Sequence, residues 1–193
     1  HALLPIHANT SLREDPAEAK KIFEEGLKEL GLTKENFPPL VITYSQQASR
    51  KQLAEYLQDT WIRSLGIAVR LEPQEWNTLR ANLGTGQFEV SGCFEASFYH
   101  DPLEMLERVA TLNPGNFAQW AFLPYQQKLA SAGREANPNL RMQLLSEAEE
   151  ILMDQMPFIP ISSDTFLFSH PPKLHGYIFD SVGAIDFSYA SMK

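Results

Sequence analysis

The sequence has one cysteine, no long basic run and no long apolar run. Because Cys93 is the only cysteine among 193 residues, no disulfide can form within the chain, which excludes a small scaffold held together by disulfides. No run of Lys or Arg exceeds two residues and the net charge is −8, so the surface repels a phosphate backbone and nucleic-acid binding is disfavoured. No apolar stretch approaches the roughly 20 residues that cross a bilayer.

The first residues also lack the features of a signal peptide. Residues 1–7 have neither a charged leading region nor a long apolar region. The chain is therefore expected to be a mature protein, a cytoplasmic protein or a piece of a longer protein. Its composition, 44% hydrophobic and 21% charged with twelve Phe, six Tyr and three Trp, is typical of a folded globular domain with a substantial core.

The first half of the chain alternates helical and strand patterns. Asp15 followed by Pro16 predicts a helix start, and Gly31 predicts its end. The apolar run Leu40–Tyr44 predicts a buried strand, a helix is expected over about 46–65, and alternation over 67–71 predicts a second strand. Strand, helix and strand in this order predict a βαβ unit with parallel strands and a right-handed crossover.

A third strand is expected over 88–93, after a short helix that contains Trp76 and is broken at 84–86. The fold class is therefore α/β: an open mixed sheet built from βαβ units and flanked by helices. The second half is more helical, with predicted helices over 102–110, 124–132 and 137–157, a loop over 111–120, and edge or terminal strands over 158–161 and 165–168. After Pro172 no clear period is present, and no interdomain linker is evident.

Catalytic and metal-binding candidates each have a simpler explanation. Cys93 is a possible nucleophile with His100 as its base, but a single cysteine on a strand is more often a small buried hydrophobe. His100 with Asp101 is a weak metal motif, because Asp101 is placed to cap the next helix. His170 and His175 are separated by a proline-rich loop and do not form a ligand pair. The sequence therefore predicts no enzyme, no metal and no cofactor.

The segment Phe94–His100 is richer in functional groups. It holds three aromatic rings, one carboxylate and one imidazole in seven residues, and it follows the third predicted strand. Ligands of open α/β sheets bind just beyond the carboxyl ends of the strands. The segment is either a packed loop over a sheet edge or the wall of a ligand cleft whose rings supply contact area.

An ordered set of motifs over about 15–165 resembles one protein family. The motifs are Ala19-Lys20-Lys21, Leu40–Tyr44, Ile67-Ala68-Val69, Gln74-Glu75-Trp76, Gly86–Val90, Asp101-Pro102, Glu147–Leu152 and Met156–Ile161. Their succession resembles the second lobe of family 5 extracytoplasmic solute-binding proteins, the oligopeptide- and dipeptide-binding components of ABC importers.

The resemblance implies an architecture, a location and partners. Members of the family have two lobes that close over the ligand, so residues 1–172 are expected to form a periplasmic-binding-protein-like lobe and 173–193 a tail that runs toward a missing first lobe. The implied location is periplasmic or extracytoplasmic and membrane-associated, as in a bacterial lipoprotein. The implied partners are a peptide or peptide-like ligand, an inner-membrane ABC permease and the first lobe itself.

The resemblance also implies site residues, with one departure. The family binds extended peptides through main-chain hydrogen bonds to the stretch that is 94–99 here. It commonly carries a large ring near the start of this stretch and an aspartate that holds the α-ammonium group; those positions are Glu95 and Phe98 here. A ring cannot replace a charge-assisted hydrogen bond. Either Glu95 takes over this role, or the ligand is not held by a free N-terminus.

We therefore expect Glu95 to contact a cationic group and the backbone around Phe94 and Ala96 to pair with the ligand. The cleft would be walled by Phe94, Phe98 and Tyr99 with His100, and further candidates are Asn116 and Trp76, the latter with a core role as its alternative. Two other functions stay open: the same transport role with a metal chelate, sugar, haem or cell-wall fragment as cargo, and a hydrolase that uses Cys93 and His100.

Overall fold

The chain divides into two compact units. A computed structural model describes residues 14–92, 101–161, 167–179 and 183–193. One unit lies within residues 11–94 and the other includes residues 95–193. A single ligand-binding lobe over 1–172 with a separate tail stays a prediction.

The first unit is built on a three-stranded parallel sheet. Strands β1 (Leu40–Ser45), β2 (Val69–Gln74) and β3 (Val90–Ser91) lie in the order β2-β1-β3, and β1 is parallel to both neighbours. The predicted α/β class and the βαβ unit are confirmed, although β2 lies further along the chain than predicted and β3 is shorter. Among the described residues this sheet is parallel throughout, so the predicted mixed character is not found in it.

Three helices accompany this sheet: α1 (Pro16–Glu29), α2 (Ala48–Leu65) and α3 (Trp76–Gly84). The predicted start of α1 is confirmed, since Asp15 Oδ1 accepts hydrogen bonds from the backbone N–H groups of Ala17 and Glu18 at 3.1 and 3.0 Å. The predicted end of α2 is also confirmed, because Gly66 adopts a left-handed conformation with φ 74°.

The two faces of the sheet differ in what they contact. Ile42 and Tyr44 of β1 and Val69 of β2 are buried in a core with Ala54 and Ile67, against which α1 and α2 contribute Phe23, Leu57, Trp61 and Leu65. Alternate residues of the same strands, such as Thr43 and Glu72, face the other way because strand side chains alternate. They pair across the two strands, Thr43 with Glu72 and Ser45 with Gln74.

The second unit contains three helices around a separate core. These are α4 (Pro102–Glu107), α5 (Leu123–Arg134) and α6 (Pro138–Gln155), and their buried residues are Leu106, Tyr125, Leu129, Ala132, Leu145, Ala148 and Leu152. The hydroxyl of Tyr125 is fully buried and donates to the Leu106 carbonyl at 2.7 Å. Burial raises the pKa of Tyr125, so the hydroxyl stays protonated and remains a donor.

Helix α4 is shorter than the predicted 102–110. The backbone N–H groups of Arg108, Val109 and Ala110 bond to carbonyls three residues back, at 3.3, 3.4 and 3.0 Å, so the chain tightens into turns after Glu107. The predicted loop that follows is confirmed.

An ion pair joins α5 to α6. Lys128 Nζ lies 2.6 Å from Glu147 Oε2, and Gln143 Nε2 donates to Glu147 Oε1 at 2.9 Å. These two hydrogen bonds lower the pKa of Glu147. A lowered pKa means that the contribution of the pair to stability is present above the ordinary glutamate pKa and is lost as the pH falls through the lowered value.

The predicted strands over 158–161 and 165–168 are wrong for residues 158–161 and 167–168, which form no strand; residues 162–166 lie outside the described residues. Pro157 and Pro160 have no backbone N–H, which removes two of the donors that strand pairing needs. Antiparallel pairing occurs instead further on, between β4 (Leu174–His175) and β7 (Ser191–Met192) and between β5 (Ile178–Phe179) and β6 (Ile185–Asp186).

The two antiparallel pairs form one nested hairpin with a turn inserted over 187–190. Ala190 N donates to the Phe187 carbonyl at 2.9 Å and Ser188 N to Asp186 Oδ1 at 2.8 Å, which closes that turn. Gly176 lies opposite with φ 76°, where an added Cβ would overlap the Tyr189 carbonyl oxygen. Only glycine satisfies both the backbone conformation and the close approach.

We expect Gly176→Ala to open the hairpin. A left-handed backbone and the overlap with Tyr189 should cost about 1–3 kcal/mol, so hydrogen exchange of the amides over 174–192 should become faster. Gly133→Ala in α5 is the matched control, because its new methyl group meets only Leu103 Cδ2 at 3.8 Å and suits a helix. Equal exchange rates in the two variants would contradict the role given to Gly176 in the hairpin.

We also expect Asn116→Asp to weaken the loop before α5. Asn116 is 8% exposed, its Nδ2 donates to the Trp120 carbonyl at 2.8 Å, and its Oδ1 accepts from Trp120 N at 3.2 Å. An aspartate would place an oxygen against the carbonyl, so the free energy of unfolding should fall by about 1–3 kcal/mol in urea denaturation. Asn139→Asp, in the exposed first turn of α6, should leave it unchanged or slightly higher.

Candidate ligand-binding site

The carboxyl ends of the three parallel strands define one edge of the sheet. These ends are Ser45, Gln74 and Ser91. The chain passes from β1 to β2 on one side and then to β3 on the other, so the strand order reverses between β1 and β3. Open α/β sheets bind ligands at such a reversal, beyond the carboxyl ends of the strands.

Backbone and side-chain hydrogen bonds hold this edge together. Gln46 N donates to the Gln74 carbonyl at 3.2 Å, so the pairing of β1 with β2 continues past the end of β1. Ser91 Oγ donates to the Thr43 carbonyl at 3.0 Å and fixes the last residue of β3 to β1. The strand that precedes the predicted ligand wall therefore has a defined end at the reversal point.

Most of the predicted site residues lie outside the described residues. These are Phe94, Glu95, Ala96, Phe98, Tyr99 and His100, together with Cys93. Their roles in a ligand wall, and the Cys93–His100 alternative, stay predictions.

Trp76 lies near the carboxyl end of β2. It is the first residue of α3, two positions after Gln74, and its side chain is 51% exposed, which removes the alternative that it belongs to the core. Its position is set by Glu75, whose Oε2 accepts from Asn77 N at 2.8 Å and caps the helix. A large exposed ring beside the carboxyl edge suits ligand contact, and that role stays a prediction.

Asn116 lies in the other unit. Its amide group is turned to the Trp120 backbone, and the Trp120 ring is in turn stacked on Phe122 at 5.9 Å and lies against Tyr125 at 4.9 Å. The structure thus gives Asn116 a part in forming its own loop, while its proposed ligand contact is untested.

Asp101 directly follows the predicted ligand wall and is doubly bound. Its Oδ1 accepts from Leu103 N at 3.0 Å, which confirms the predicted helix cap. Arg141 Nη2, from the first turn of α6, lies 2.9 Å from Oδ1 and 2.7 Å from Oδ2 of the same carboxylate. Sequence reasoning missed Arg141, since forty residues separate the two partners.

A second ion pair lies one turn further along α4. Arg108 donates to Glu104 Oε1 from Nε at 2.9 Å and from Nη2 at 2.5 Å. Glu104 is buried, and no group among the described residues forms a hydrogen bond with its Oε2. The spacing of four residues between the two side chains was the signal that could have predicted this pair.

An open groove of about 300 Å³ lies over the second face of the sheet and was not predicted from the sequence. It is lined by Val41, Thr43, Glu72, Gln74, Gln87, Phe88 and Glu89. Glu89 Oε2 accepts from Val41 N at 2.7 Å, and Glu72 Oε1 accepts from Gln74 Nε2 at 2.9 Å. Both carboxylates thus have neutral partners here, and the volume is at the low end of the range for small-molecule sites.

Within the described ranges, no three side chains of His, Cys, Asp or Glu come together as a possible metal site. None of the helices in the same ranges combines the length and the apolar composition that crossing a bilayer requires.

Comparisons with known proteins identify the family. Residues 4–117 match the family described as bacterial extracellular solute-binding proteins, family 5 middle. The dipeptide-binding protein DppE of Bacillus subtilis (strain 168) is 31% identical over 179 residues, which are 93% of this chain and 33% of DppE. The chain thus spans about a third of the length of this relative.

Two solved structures share the fold. The Escherichia coli murein tripeptide-binding protein MppA has a TM-score of 0.67 and 27% identity, over 74% of this chain and 27% of that one. The substrate-binding domain of an oligopeptide ABC transporter from Bacillus anthracis has a TM-score of 0.76 and 19% identity, over 94% and 36%. Together with the match over 4–117, these likenesses confirm the resemblance noted in the sequence: the chain belongs to family 5 of the bacterial extracellular solute-binding proteins.

Proposed function

We propose that the longer protein carrying this chain binds a peptide or peptide-like solute and delivers it to an ABC importer. The observation that carries the proposal is the reversal of strand order between β1 and β3, because the aromatic segment 94–100 follows β3 in the chain. Relatives named as binding a dipeptide and a murein tripeptide support the choice of ligand class.

The proposed action is reversible binding without chemistry. Solute binding is what defines the family, and that this chain also has no enzymatic activity is part of the proposal. Extended peptides pair with a protein mainly through backbone groups, which gives affinity for many sequences, while rings and charges around them select the cargo. The backbone around Phe94 and Ala96 is proposed to pair with the ligand. The cleft is proposed to be walled by Phe94, Phe98 and Tyr99 with His100, and Trp76 is proposed to lie near its rim.

The chain is proposed to supply one of two lobes. A ligand held between two lobes loses half of its contacts when one is missing, so this chain alone should bind weakly. The hairpin over 173–193 is proposed to contact the first lobe. Its exposed apolar side chains support this, since Phe187, Tyr189 and Met192 are 52%, 77% and 63% exposed and would be covered by such a contact.

The proposed location is outside the cytoplasmic membrane, in the periplasm or at the cell surface. Membership in an extracellular solute-binding family supports a location outside the cytoplasm. Association with the membrane and docking to an inner-membrane permease are further parts of the proposal.

A second cargo class follows from Phe98. Because an aromatic ring takes the position of the usual ammonium-binding carboxylate, the cargo is either held through Glu95 or carries no free ammonium group. The candidates for a cargo that is not held by a free ammonium group are a metal chelate, a sugar, haem and a cell-wall fragment.

Calorimetry on the longer protein separates these cargo classes. We expect heat of binding on titration with short peptides that have a free N-terminus, and weaker binding of the same peptides after N-acetylation if Glu95 receives the ammonium group. Heat with none of the peptides, together with heat from a sugar, chelate or haem, would rule out the peptide assignment.

Glu95→Gln tests the proposed charge directly. Loss of a hydrogen bond between charged groups should weaken binding of a cationic ligand about tenfold to a hundredfold and leave its N-acetylated counterpart nearly unaffected. Glu25→Gln is the control, because this exposed residue of α1 gives the same change in net charge away from the carboxyl edge. An equal loss of affinity for both ligands would assign Glu95 to folding or packing.

A further inference from the structure

The open groove over the second face of the parallel sheet is lined only by residues of the first unit. We propose that this groove binds a linear aliphatic diamine, with one ammonium group at Glu72 and the other at Glu89. None of the residues assigned to the peptide cargo lines the groove, so the diamine is a second ligand with its own site.

Glu72 and Glu89 share this face of the sheet and lie on opposite sides of β1. Glu72 pairs with Thr43, and paired residues of neighbouring strands point to the same face. Val90 pairs with Ile42 and packs against the core, so Glu89, one position earlier, points the other way. Because neighbouring strands are about 4.8 Å apart, the two glutamates start about 10 Å apart across the strands. Two negative charges on different strands match a ligand with a positive charge at each end.

Each carboxylate is held by a neutral donor through one oxygen. Glu89 Oε2 accepts from Val41 N at 2.7 Å. Glu72 Oε1 accepts from Gln74 Nε2 at 2.9 Å, and Gln74 Oε1 in turn accepts from Asn82 Nδ2 of α3 at 3.0 Å. Within the described part of the chain, no cationic side chain pairs with either carboxylate. The other oxygen of each is therefore open to an ammonium group, and the first oxygen fixes the orientation of the side chain.

A buried hydroxyl between the two carboxylates also lacks a partner of its own. Thr43 lines the groove although it is only 3% exposed. Its carbonyl accepts from Ser91 Oγ at 3.0 Å, whereas its hydroxyl forms no hydrogen bond with any residue that the structure describes. Buried polar groups are normally hydrogen-bonded, and a hydroxyl oxygen accepts readily from an ammonium N–H. A bound diamine supplies that donor.

The remaining walls suit an alkyl chain. Val41 and Phe88 bring apolar side chains to a groove of about 300 Å³, which is at the low end of the range for small-molecule sites. Arg70 pairs in register with Val41 on the same face, but it does not line the groove, and no ion pair joins it to a described carboxylate. The net charge of −8 attracts cations to the surface as a whole.

Calorimetric titration of the longer protein with cadaverine tests the site. We expect saturable binding of cadaverine, binding of pentylamine that is about threefold to tenfold weaker because one exposed ion pair is lost, and no binding of the uncharged pentanediol. Added salt should weaken the binding of cadaverine, since both carboxylates are exposed. Saturating cadaverine should also raise the Tm of the protein.

Three groove variants and one control locate the bound diamine. Glu72→Gln and Glu89→Gln remove one charge each but keep an oxygen for the existing hydrogen bond, so each should weaken cadaverine binding about threefold to tenfold. Thr43→Val removes the hydroxyl at nearly constant shape and should weaken binding about twofold to tenfold. Glu25→Gln makes the same charge change on α1, which packs against the other face, and should leave the affinity unchanged.

Several results would overturn the proposal. One is no binding of cadaverine to the wild-type protein, and another is an equal loss in Glu25→Gln, which would mean general attraction to an acidic surface. Calcium binding that the groove variants abolish, without cadaverine binding, would assign the groove to a metal ion. Tighter binding of a lysine-containing peptide than of cadaverine, lost in the same variants, would make the groove part of the cargo site. Titration with lysine-free peptides reports on the proposed function separately, and its failure leaves the cadaverine result intact.

Discussion

The parallel pairing of β1 with strands on both sides is the constraint on which the rest of the first unit depends. Because β1 is central, its Ile42 and Tyr44 must be covered on one face, and α1 and α2 supply that cover with Phe23, Leu57 and Trp61. Parallel pairing also requires crossover connections, so each strand end is followed by a helix or a loop at the same edge. The carboxyl edge, with Trp76 near the end of β2, is a direct consequence of this pairing.

The second unit depends on a different kind of contact. Its core is aliphatic around Tyr125, but α4 is held by one arginine–carboxylate pair at its start and by a second pair one turn later. Apolar packing resists compression and tolerates small shifts along a helix, whereas a guanidinium bonded to both oxygens of Asp101 tolerates little displacement. The oriented Asp101–Arg141 ion pair thus lies where the chain enters α4, whereas non-directional apolar packing forms the core of the unit.

Features encoded within a few residues were predictable from the sequence. Asp15 and Asp101 cap helices through backbone N–H groups within three residues of their own position, and both caps were predicted correctly from propensity and spacing. The hairpin over 174–192 was not predicted, because two-residue strands carry no period and its register depends on Gly176 meeting Tyr189. The Arg141–Asp101 ion pair and the Asn116–Trp120 hydrogen bonds were not predicted for a related reason. The residues next to a polar side chain in the sequence do not determine which distant side chain or which backbone group it will bind.

The net negative charge of the chain has to be compatible with the proposed cargo. The chain carries a net charge of −8, and the two carboxylates of the groove, Glu72 and Glu89, have only neutral partners among the described residues. An anionic surface raises the local concentration of cationic solutes but does not orient them. Orientation requires a charged group held at a fixed place inside the cleft, and the family's usual position for it is a phenylalanine here. The ligand class therefore depends on whether Glu95 acts as that group.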